Sequence, residues 1–548
     1  MKKIFINKVT YILLFLILIL AGILRFTNLA GLPPSLEWDE VATGYDANSI
    51  LKTGKDQYGN FLPLTFRSLD DYKPPLYTYL TAISIWIWGW NDFAVRFTGA
   101  FLGTLAVLTT YGMMYMLFNK KSLAILSAFF LSISPWHILF SRLALETNST
   151  IFFTTAGIWA FIVGLKKGKF LLLSAILFGL NLYLYHNARI FTPLLGLFLL
   201  IVYRKELIQQ KKYFIFSIII LSIFIIRLIP IMFSIEGQMR YQGTSIFSSA
   251  KSIEIAKLEN VYKSWITDDN LVNDNISAKL FHSPKILYAK LIFHQYLSHF
   301  DPTFWLFTAD NPRHHVTEGG LLYYLDLPLM LIGLYFLLKL KNIRLSALII
   351  IWILLVPIPA SVTRDAPHSL RTAIFLPTFQ ILIAFGIIGL IDLLKSRKIV
   401  KTIFIIFLIC GYGYNFLFFT HQYFVHYAKD TSSEWQYGRQ EAALFADSIK
   451  QKYDRILVSQ KIDQGHMFFL YYLKYDPVKY QKDGGTLSGG WAEEGNKFDK
   501  YEFRNFDYEK TKNGKILFIG SPKEFSPNAQ VLRKIKYING EDAIWITD

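Results

Sequence analysis

The sequence has a single cysteine, Cys410, among its 548 residues. One cysteine excludes a disulfide framework within the chain and a metal site built from several thiolates. Charged residues are also scarce, at 18%, whereas 53% of the residues are hydrophobic and 17% are aromatic. Because a soluble protein of this size would not easily stay in solution with such a composition, the sequence predicts an integral membrane protein.

Apolar stretches close to the roughly 20 residues that a helix needs to cross a bilayer recur from Tyr11 to Thr420. They predict eleven membrane spans, near residues 11–29, 97–118, 122–140, 147–165, 170–186, 190–203, 212–235, 321–340, 345–360, 371–394 and 400–420. The basic and apolar N-terminus lacks a convincing cleavage site, so we interpret it as a retained first span rather than as a signal peptide.

The net charge of +17 arises from Lys and Arg in alternate loops. Nineteen of these residues lie before the first span and in the loops after the second, fourth, sixth, eighth and tenth spans. Such an excess marks cytoplasmic loops, so this charge is not evidence for a nucleic-acid partner. The sequence therefore predicts a multi-pass protein of the cytoplasmic membrane with a cytoplasmic N-terminus.

The apolar run Pro75–Trp90 is not counted among the spans. If it crossed the bilayer, every later basic cluster would lie on the wrong side. It contains Trp86, Trp88 and Trp90, and tryptophan is enriched where membrane meets water. We therefore predict an interfacial or re-entrant helix.

This topology places residues 30–96, 236–320 and 421–548 outside the cell membrane. The last segment is polar, with strand-like runs at Arg455–Ser459, Lys515–Ile519 and Ala543–Thr547 and a helix-like stretch at Glu441–Lys452. The predicted fold class is an all-α membrane domain, residues 1–420, followed by a small extracytoplasmic α/β domain, residues 421–548. Gly484, Gly485, Gly489 and Gly490 are weak evidence for a phosphate loop, because no strand leads into a Gly-x-Gly-x-x-Gly pattern.

The acids that follow the first span are the most informative feature of residues 30–96. Leu36-Glu37-Trp38-Asp39-Glu40 precedes an amphipathic stretch, Val41–Lys52. One interpretation is helix capping, because acids in the first turn of a helix are stabilised by its dipole. The other is a functional role, because acids next to a membrane are costly and need a reason.

Lys73 lies in the run Asp70-Asp71-Tyr72-Lys73-Pro74-Pro75, where the two prolines fix the backbone and begin the next helix. A lysine held at the membrane surface is able to bind a phosphate, either of a substrate or of a lipid headgroup. The same alternatives apply to Arg96, which precedes the second span.

Further polar residues occur at the predicted outer ends of spans. We take Tyr77, Arg142, Glu146, His186 and Arg189 as candidate substrate-binding residues, and Arg364, His368 and Arg371 as candidate phosphate-binding residues. A structural ion pair between Arg364 and Asp365 is the alternative for this last group. His314, His315 and Glu318 form a weaker candidate for a metal site, so no metal ligand is assigned, although a divalent metal remains open.

The spacing of these motifs resembles that of a known family. An Asp39-Glu40 pair follows the first span, Lys73-Pro74-Pro75-Leu76-Tyr77 follows about thirty residues later, and Arg96 opens the second span. This arrangement is similar to that of GT-C membrane glycosyltransferases of family 39, which comprise protein O-mannosyltransferases, aminoarabinose transferases and RgtA/B/C/D-like enzymes. The resemblance covers residues 10–240 well and the remainder by topology.

The resemblance implies transfer of a sugar from a polyprenyl-phosphate donor to a hydroxyl of a protein, lipid or glycan. It makes Asp39, with Glu40 beside it, the catalytic carboxylate, and it implies that Lys73 and arginines stabilise the departing lipid phosphate. Tyr72 occupies a position where aminoarabinose transferases carry an acid, and Asp71 is a candidate substitute. No cofactor is implied.

Two other functions stay open. A transporter or flippase of lipid-linked saccharides would place ionisable residues near span centres, where Arg227 is the one example that we cannot place. A polymerase or ligase of surface polysaccharide would use similar chemistry on a saccharide acceptor.

The topology makes a testable prediction about the C-terminal segment 421–548. In right-side-out vesicles, added protease should digest this segment, because eleven spans that start in the cytoplasm end outside. Immunodetection of a C-terminal tag would follow the digestion. A protected C-terminus would instead mean that Pro75–Trp90 crosses the bilayer.

Overall fold

The computed structural model describes residues 2–68, 71–248, 253–272, 275–487, 495–512 and 514–548. Helices occupy each of the eleven segments predicted as spans. They are Lys2–Phe26, Asp92–Phe118, Lys121–Ile133 with Pro135–Ser141, Ser149–Gly164, Lys169–Asn181, Ala188–Val202, Lys211–Phe233, Asp326–Leu338, Ile343–Leu355 with Pro357–Ala360, Thr378–Leu393 and Lys398–His421.

Among the described residues, six helices are long and apolar enough to cross a membrane. A seventh span results if Lys121–Ile133 and Pro135–Ser141, which meet at a 60° bend, are counted together. The predicted fold class is therefore confirmed in its coarse form, a largely helical protein with several spans. The number eleven stays a prediction, because helices such as Lys169–Asn181 and Asp326–Leu338 are shorter than a full crossing.

The helix Leu76–Trp88 lies within the run predicted to be interfacial. Its 13 residues rise about 20 Å, less than the roughly 30 Å of a hydrocarbon core. Trp86 and Trp88 are exposed on its surface. Since Lys169–Asn181 is equally short, the distribution of basic loops remains the main argument for the placement of this helix.

Glycines allow close packing within the bundle. Gly333 of Asp326–Leu338 and Gly386 of Thr378–Leu393 face one another's helices, and a Cβ on either would overlap a main-chain carbonyl, that of Leu382 or of Leu329. The two backbones therefore touch where larger side chains would separate them.

The segments between the spans contain further helices and one hairpin. The helices are Trp38–Thr53, Leu76–Trp88, Glu146–Asn148, Arg204–Gln209, Ile235–Thr244, Ile253–Leu271, Asn275–Leu280, Pro284–Ser298, Phe304–Thr308 and Pro312–His314. The hairpin pairs β1, Phe66–Ser68, with β2, Asp71–Lys73, in antiparallel register.

The segments predicted to lie outside meet on one side of the bundle. The backbone N–H of Ile246 donates to Val362 O at 3.1 Å, which joins the 236–320 segment to the loop before Thr378–Leu393. Thr317 Oγ1 donates to Asp430 Oδ2 at 2.8 Å, which joins the same segment to the C-terminal region. The predicted cytoplasmic loops also meet, through a 2.6 Å ion pair between Arg344 and Glu206.

The C-terminal region contains a six-stranded mixed sheet. Its six strands are β3, Arg455–Val458; β4, Lys497–Phe498; β5, Tyr501–Phe503; β6, Ile516–Gly520; β7, Val531–Lys536; and β8, Asp542–Thr547. Their order is β4-β5-β3-β6-β8-β7, with β3 parallel to β5 and β6 and the other pairs antiparallel. The helices are Tyr427–Thr431, Arg439–Ile449, Lys450–Lys452, Gln460–Ile462, Gly465–Tyr472, Pro477–Lys482, Tyr508–Thr511 and Pro522–Glu524. The small α/β sheet predicted here is confirmed.

Gly484 and Gly485 do not form a phosphate loop. Their N–H groups donate to carbonyls of helix Pro477–Lys482, at 3.4 Å to Gln481 O and 2.9 Å to Tyr480 O, so they terminate that helix. Gly489 and Gly490 lie outside the described residues.

The C-terminal region packs against the helix Trp38–Thr53. Tyr45 OH donates to Tyr475 O at 3.3 Å, and Gln481 Nε2 donates to Ser49 Oγ at 3.0 Å. Apolar side chains of both parts, among them Val41 and Phe468, share one buried cluster. The helix that carries the Asp39-Glu40 pair thus packs between the C-terminal region and the helical bundle.

Candidate active site

Helix Trp38–Thr53 begins with a reciprocal pair of hydrogen bonds between two acids. The Glu37 side chain accepts from the backbone of Glu40, and Glu40 Oε2 accepts from the Glu37 N–H at 3.1 Å. The N-terminus of the helix is therefore capped by Glu37 and Glu40. Asp39 takes no part in this cap.

Glu40 is completely buried and forms an ion pair with Arg96. Arg96 Nη2 and Nε lie 2.8 and 2.9 Å from its two carboxylate oxygens, and the Ala144 N–H donates to Oε1 at 2.7 Å. Two segments beyond its own helix thus bind this one carboxylate. Charges buried this deeply persist only when paired and hydrogen-bonded, which they are here.

Arg96 has no free donor for a substrate phosphate. Its remaining N–H groups donate to the carbonyl oxygens of Leu29, Pro33 and Ser35, at 3.3, 2.8 and 2.5 Å. The arginine thereby fixes the loop that leads from the first helix to Trp38. This differs from the predicted phosphate-binding role, and the reason is that the Glu40 carboxylate, adjacent in sequence to Asp39, faces inward.

Asp39 instead pairs with Lys73, as Nζ lies 2.7 Å from Oδ1. Ser68 Oγ also donates to Oδ1, at 3.2 Å. The Lys73 side chain is 11% exposed and that of Asp39 is 26% exposed, so this pair is accessible in a way that Glu40 and Arg96 are not. The cation that meets the candidate catalytic carboxylate is therefore the one in the Lys-Pro-Pro motif.

The hairpin explains why Lys73 reaches Asp39. Phe66 pairs with Lys73 and Ser68 pairs with Asp71 across the antiparallel strands, so these side chains share one face. Pro74 and Pro75 then end the strand and begin helix Leu76–Trp88. The two prolines leave little freedom in the backbone that positions the lysine.

Opposing effects set the charge of this pair. Burial raises the pKa of Asp39, but the attraction and hydrogen bond of Lys73, together with Arg313, outweigh it and bring the pKa below its ordinary value. Burial lowers the pKa of Lys73, whereas Asp39 and then Glu146 raise it, and the net direction is upward. Both groups are therefore charged at neutral pH.

A cavity of about 640 Å³ opens beside Asp39. Its walls come from segments around residues 37–39, 143–145, 309–314 and 365–370, and from Trp435. Of the site residues predicted from the sequence, Asp39 and His368 line this cavity. A cavity of this size at the junction of several loops is typical of a small-molecule site.

Arg313 is a cation of this cavity that the sequence did not single out. It forms an ion pair with Glu37, and its guanidinium lies over the rings of Trp38 and Trp435, 5.2 and 6.0 Å from their centroids. Burial raises the pKa of Glu37 to about 7 against the attraction of Arg313, so this carboxyl changes charge near neutral pH. Arg313 directly precedes His314 and His315, which the sequence does identify as candidate ligands, and this proximity was the available signal.

Asp310, His314 and His368 form a cluster on the wall of the cavity. Asp310 Oδ1 lies 3.1 Å from His314 Nδ1, and Oδ2 lies 2.9 Å from His368 Nδ1. The sequence groups His314 with His315 and Glu318. The structure brings His314 together with two residues distant in the chain, whereas His315 Nδ1 lies 2.7 Å from Val316 O.

Acids other than Asp71 surround Lys73. Asp71 forms an ion pair with Arg240 of helix Ile235–Thr244 and so does not replace the missing acid at Tyr72. Glu146 lies close enough to raise the pKa of Lys73, and burial raises its own pKa. Lys73 thus has a second acid beside it, supplied by a loop that adjoins the cavity.

The remaining candidates are occupied by structural contacts. Arg142 is buried and donates to main-chain carbonyls of Leu24, Thr27, Asn28 and Leu32. Arg371 and Arg364 both face Asp365, at 3.4 and 3.7 Å, which is the pairing left open from the sequence.

Three further candidates lie near the hairpin. His186 Nε2 lies 2.9 Å from Tyr72 O, and Arg189 Nη1 lies 3.2 Å from His186 Nδ1. Tyr77 is buried against Gly99. His186 and Arg189 thus support the hairpin, whereas Tyr77 packs on helix Asp92–Phe118, and none of the three is among the residues that line the cavity.

Known proteins resemble this chain in sequence and in fold. Residues 72–229 match the family model for dolichyl-phosphate-mannose-protein mannosyltransferase. ArnT from Cupriavidus metallidurans, solved bound to undecaprenyl phosphate, has a TM-score of 0.54 and 12% identity, and the match covers 97% of each chain. The chain has the GT-C fold. The predicted resemblance to GT-C glycosyltransferases is confirmed, and the family match supports a glycosyltransferase.

Two more solved proteins are similar over part of their length. The Archaeoglobus fulgidus oligosaccharyltransferase matches with a TM-score of 0.48 and 14% identity, over 84% of this chain and 63% of that one, so the chain spans about three fifths of its length. The S. cerevisiae Pmt1-Pmt2 complex, bound to its sugar donor, matches with a TM-score of 0.31 and 21% identity, and the match covers 44% of this chain and 34% of that one. A search of curated proteins finds no match.

The buried Glu40–Arg96 pair makes a testable prediction about stability. Glu40→Gln should lower the free energy of unfolding by about 3–5 kcal/mol, because an uncompensated arginine stays buried and the new amide donor faces N–H groups. Asp39→Asn is the matched control and should cost clearly less, since Asp39 is partly exposed and Glu146 remains near Lys73. Thermal unfolding in detergent measures both. Equal losses would contradict a separate structural role for Glu40.

Proposed function

We propose that this protein is a membrane glycosyltransferase that moves a sugar from a polyprenyl-phosphate donor to a hydroxyl of a protein, lipid or polysaccharide. The reaction would take place on the outer face of the cytoplasmic membrane. The observation that carries the proposal is the pair of Asp39 and Lys73, 2.7 Å apart at the edge of a cavity. The family match and the GT-C fold support it.

In the proposed reaction, Asp39 accepts the proton of the acceptor hydroxyl. The acceptor oxygen attacks the anomeric carbon of the donor sugar, and the bond from that carbon to the lipid phosphate breaks. The phosphate leaves with the bonding electrons, and Lys73 stabilises the negative charge that develops on it. Glu40 and Arg96 act as positioning residues, because they hold the helix that carries Asp39.

Asp39 and Lys73 are paired in the structure, so we expect donor binding to change the contacts of both residues together. While the pair is intact, the low pKa of Asp39 makes it a weak base. A donor phosphate that draws Lys73 away removes the largest influence that lowers this pKa, since burial by itself raises it. Donor binding would then both stabilise the leaving group and strengthen the base.

Access for a lipid donor is supported by the helix after Lys73. Leu76–Trp88 exposes Ile83, Trp86, Ile87 and Trp88, which are apolar side chains suited to contact with lipid. Pro74 and Pro75 join this helix directly to Lys73. A phosphate carried on a polyprenyl chain would therefore reach the lysine from the membrane surface.

The structure offers little to the transporter hypothesis. Arg227, which the sequence leaves without a role, lies exposed on helix Lys211–Phe233. A path for a charged saccharide would require ionisable side chains that line an opening in the bundle. Arg25 and Asp326 are buried within the bundle, but each is hydrogen-bonded to a neighbouring side chain, whereas Asp39 and Arg313 line the cavity.

Asp39→Asn tests the proposed base directly. The substitution keeps size and inserts an amide that is not a base, so transfer of labelled sugar from a total polyprenyl-phosphate fraction in membranes should fall at least 100-fold, within the range of about 10²–10⁴ typical of general-base catalysis. Asp268→Asn, on an exposed face of helix Ile253–Leu271, is the matched control and should keep full activity. Full activity in well-expressed Asp39→Asn would defeat the assignment.

Lys73→Met provides the second arm of the same test. It should weaken transfer from the lipid-phosphate donor, while Lys73→Arg should restore part of it because the positive charge returns. Lys285→Met, at an exposed position of helix Pro284–Ser298, is the control. If Lys73→Met and Lys285→Met keep the same transfer activity, Lys73 does not bind the donor phosphate, and contact with lipid headgroups is the better explanation for its position.

A further inference from the structure

A groove of about 650 Å³ lies between helices Asp92–Phe118, Ser149–Gly164 and Lys169–Asn181. Most of its lining is apolar or aromatic, and Lys166 and Lys167 complete it. We propose that this groove binds an anionic phospholipid, with an acyl chain along the apolar part and the headgroup phosphate at the two lysines. None of its lining residues belongs to the cavity of the candidate active site, so this site is separate from the proposed transfer.

The two lysines mark the end of the groove that is predicted to lie at the cytoplasmic surface. Lys166 and Lys167 lie in the turn between two of the helices, and their positive charge is one of the features that predict a cytoplasmic position for this turn. Met116, which also lines the groove, lies in the last turn of helix Asp92–Phe118. The three helices therefore meet at the lysines with the ends that are predicted to be cytoplasmic.

The apolar part of the groove has about the depth of one membrane leaflet. On helix Ser149–Gly164 its lining residues extend from Phe152 to Val163, which is about 17 Å of helix rise. Half of a hydrocarbon core of roughly 30 Å is about 15 Å. An acyl chain whose headgroup lies at Lys166 and Lys167 would therefore contact apolar lining along most of its length.

Small residues beside one tryptophan shape the groove. A Cβ on Gly112 would overlap the indole of Trp159, so this glycine lets the ring lie against the neighbouring backbone. Ala156 and Ala160 line the groove with short side chains, one turn apart on the helix that carries Trp159. Leu173, on the opposite wall, is 44% exposed, so the groove opens on the surface of the bundle, where lipid chains would reach it.

The lysine end of the groove carries positive charge that is not neutralised by an acid. Neither Lys166 nor Lys167 forms an ion pair among the described residues, and none of the described lining residues is acidic. Lys169 adds a third cation, because its Nζ lies 5.6 Å from the ring centroid of Phe170, which also lines the groove. Basic side chains at a membrane surface attract anionic lipids, and each contributes roughly five-fold to binding.

Loose contact with bulk lipid is the competing explanation, because membrane helices touch lipid and cytoplasmic loops are basic in general. It fits a second groove, of about 510 Å³, between helices Lys121–Ile133, Thr378–Leu393 and Lys398–His421, since none of the described residues that line it is Lys or Arg. The groove at Lys166 differs because cations are part of its lining. This difference favours a bound lipid with a negatively charged headgroup.

The test is lipid binding by the full-length protein in detergent, measured by native mass spectrometry. Phosphatidylglycerol and phosphatidylcholine with identical acyl chains are titrated separately, so that only the headgroup differs. The parent protein should bind its first phosphatidylglycerol at least about 10-fold more tightly than its first phosphatidylcholine, since two lysines contribute roughly five-fold each. The double variant Lys166→Met/Lys167→Met should lose this preference.

Matched controls separate a specific site from general attraction. Lys339→Met/Lys341→Met removes two exposed lysines from another predicted cytoplasmic loop and should keep the preference. Leu173→Trp places a larger ring at an exposed position in the groove and should weaken binding of phosphatidylglycerol although both lysines remain. Ile176→Trp, at an exposed position of the same helix that does not line the groove, should bind as the parent protein does.

Equal loss of the preference in the two double variants would overturn the proposal, because the attraction would then come from the cytoplasmic charge as a whole. Unchanged binding by Leu173→Trp would show that no acyl chain occupies the groove. Loss of undecaprenyl phosphate binding in Lys166→Met/Lys167→Met, with phosphatidylglycerol binding unchanged, would assign the groove to a polyprenyl lipid and overturn the phospholipid assignment. None of these measurements depends on sugar transfer, so their outcome is independent of the proposed function.

Discussion

The carboxylate of Glu40 accepts hydrogen bonds from Arg96, from the N–H of Ala144 and from the N–H of Glu37, and it is fully buried. Through these contacts the helix Trp38–Thr53, the long helix Asp92–Phe118 and the turn before Glu146–Asn148 are fixed to one point. Arg96 extends the network to the carbonyls of Leu29, Pro33 and Ser35. Asp39, one residue before Glu40, therefore projects from a firmly held helix terminus, as the proposed base requires if its geometry is to be maintained.

The division of labour between the two acids follows from helix geometry. Neighbouring residues point about 100° apart on a helix, so when Glu40 faces the bundle Asp39 faces elsewhere. Here Asp39 faces the cavity and meets Lys73, which the hairpin and the two prolines present at 2.7 Å. One charge pair is completely buried, and the other is partly exposed. The proposed chemistry depends on this contrast, because only the second pair is able to release its cation to a phosphate.

The sequence predicts the positions of the helices and the pairing partner of Asp39, but not the contacts between residues that are distant in the chain. Apolar runs and alternate basic loops locate the helices, and the motif of Lys73 with its prolines identifies the cation that meets Asp39. Whether Asp39 or Glu40 is buried depends on where Arg96 reaches, which is a tertiary contact without a local signal. The same holds for Asp310 and His368, which come from different loops, and for Arg240, which pairs with Asp71. Strands β4 and β5 are only two and three residues long, and β7 is mostly exposed, so none provides the run of four or more alternating residues on which strand prediction depends.

Exchange of Lys73 between Asp39 and a lipid phosphate is the central claim, and it is measured most directly by a structure of the protein in a lipid nanodisc with bound polyprenyl phosphate. The account predicts that Lys73 Nζ lies within hydrogen-bond distance of the phosphate and is no longer paired with Asp39, whose carboxylate still faces the cavity. A phosphate bound away from Lys73, with the pair of Lys73 and Asp39 intact, would contradict it.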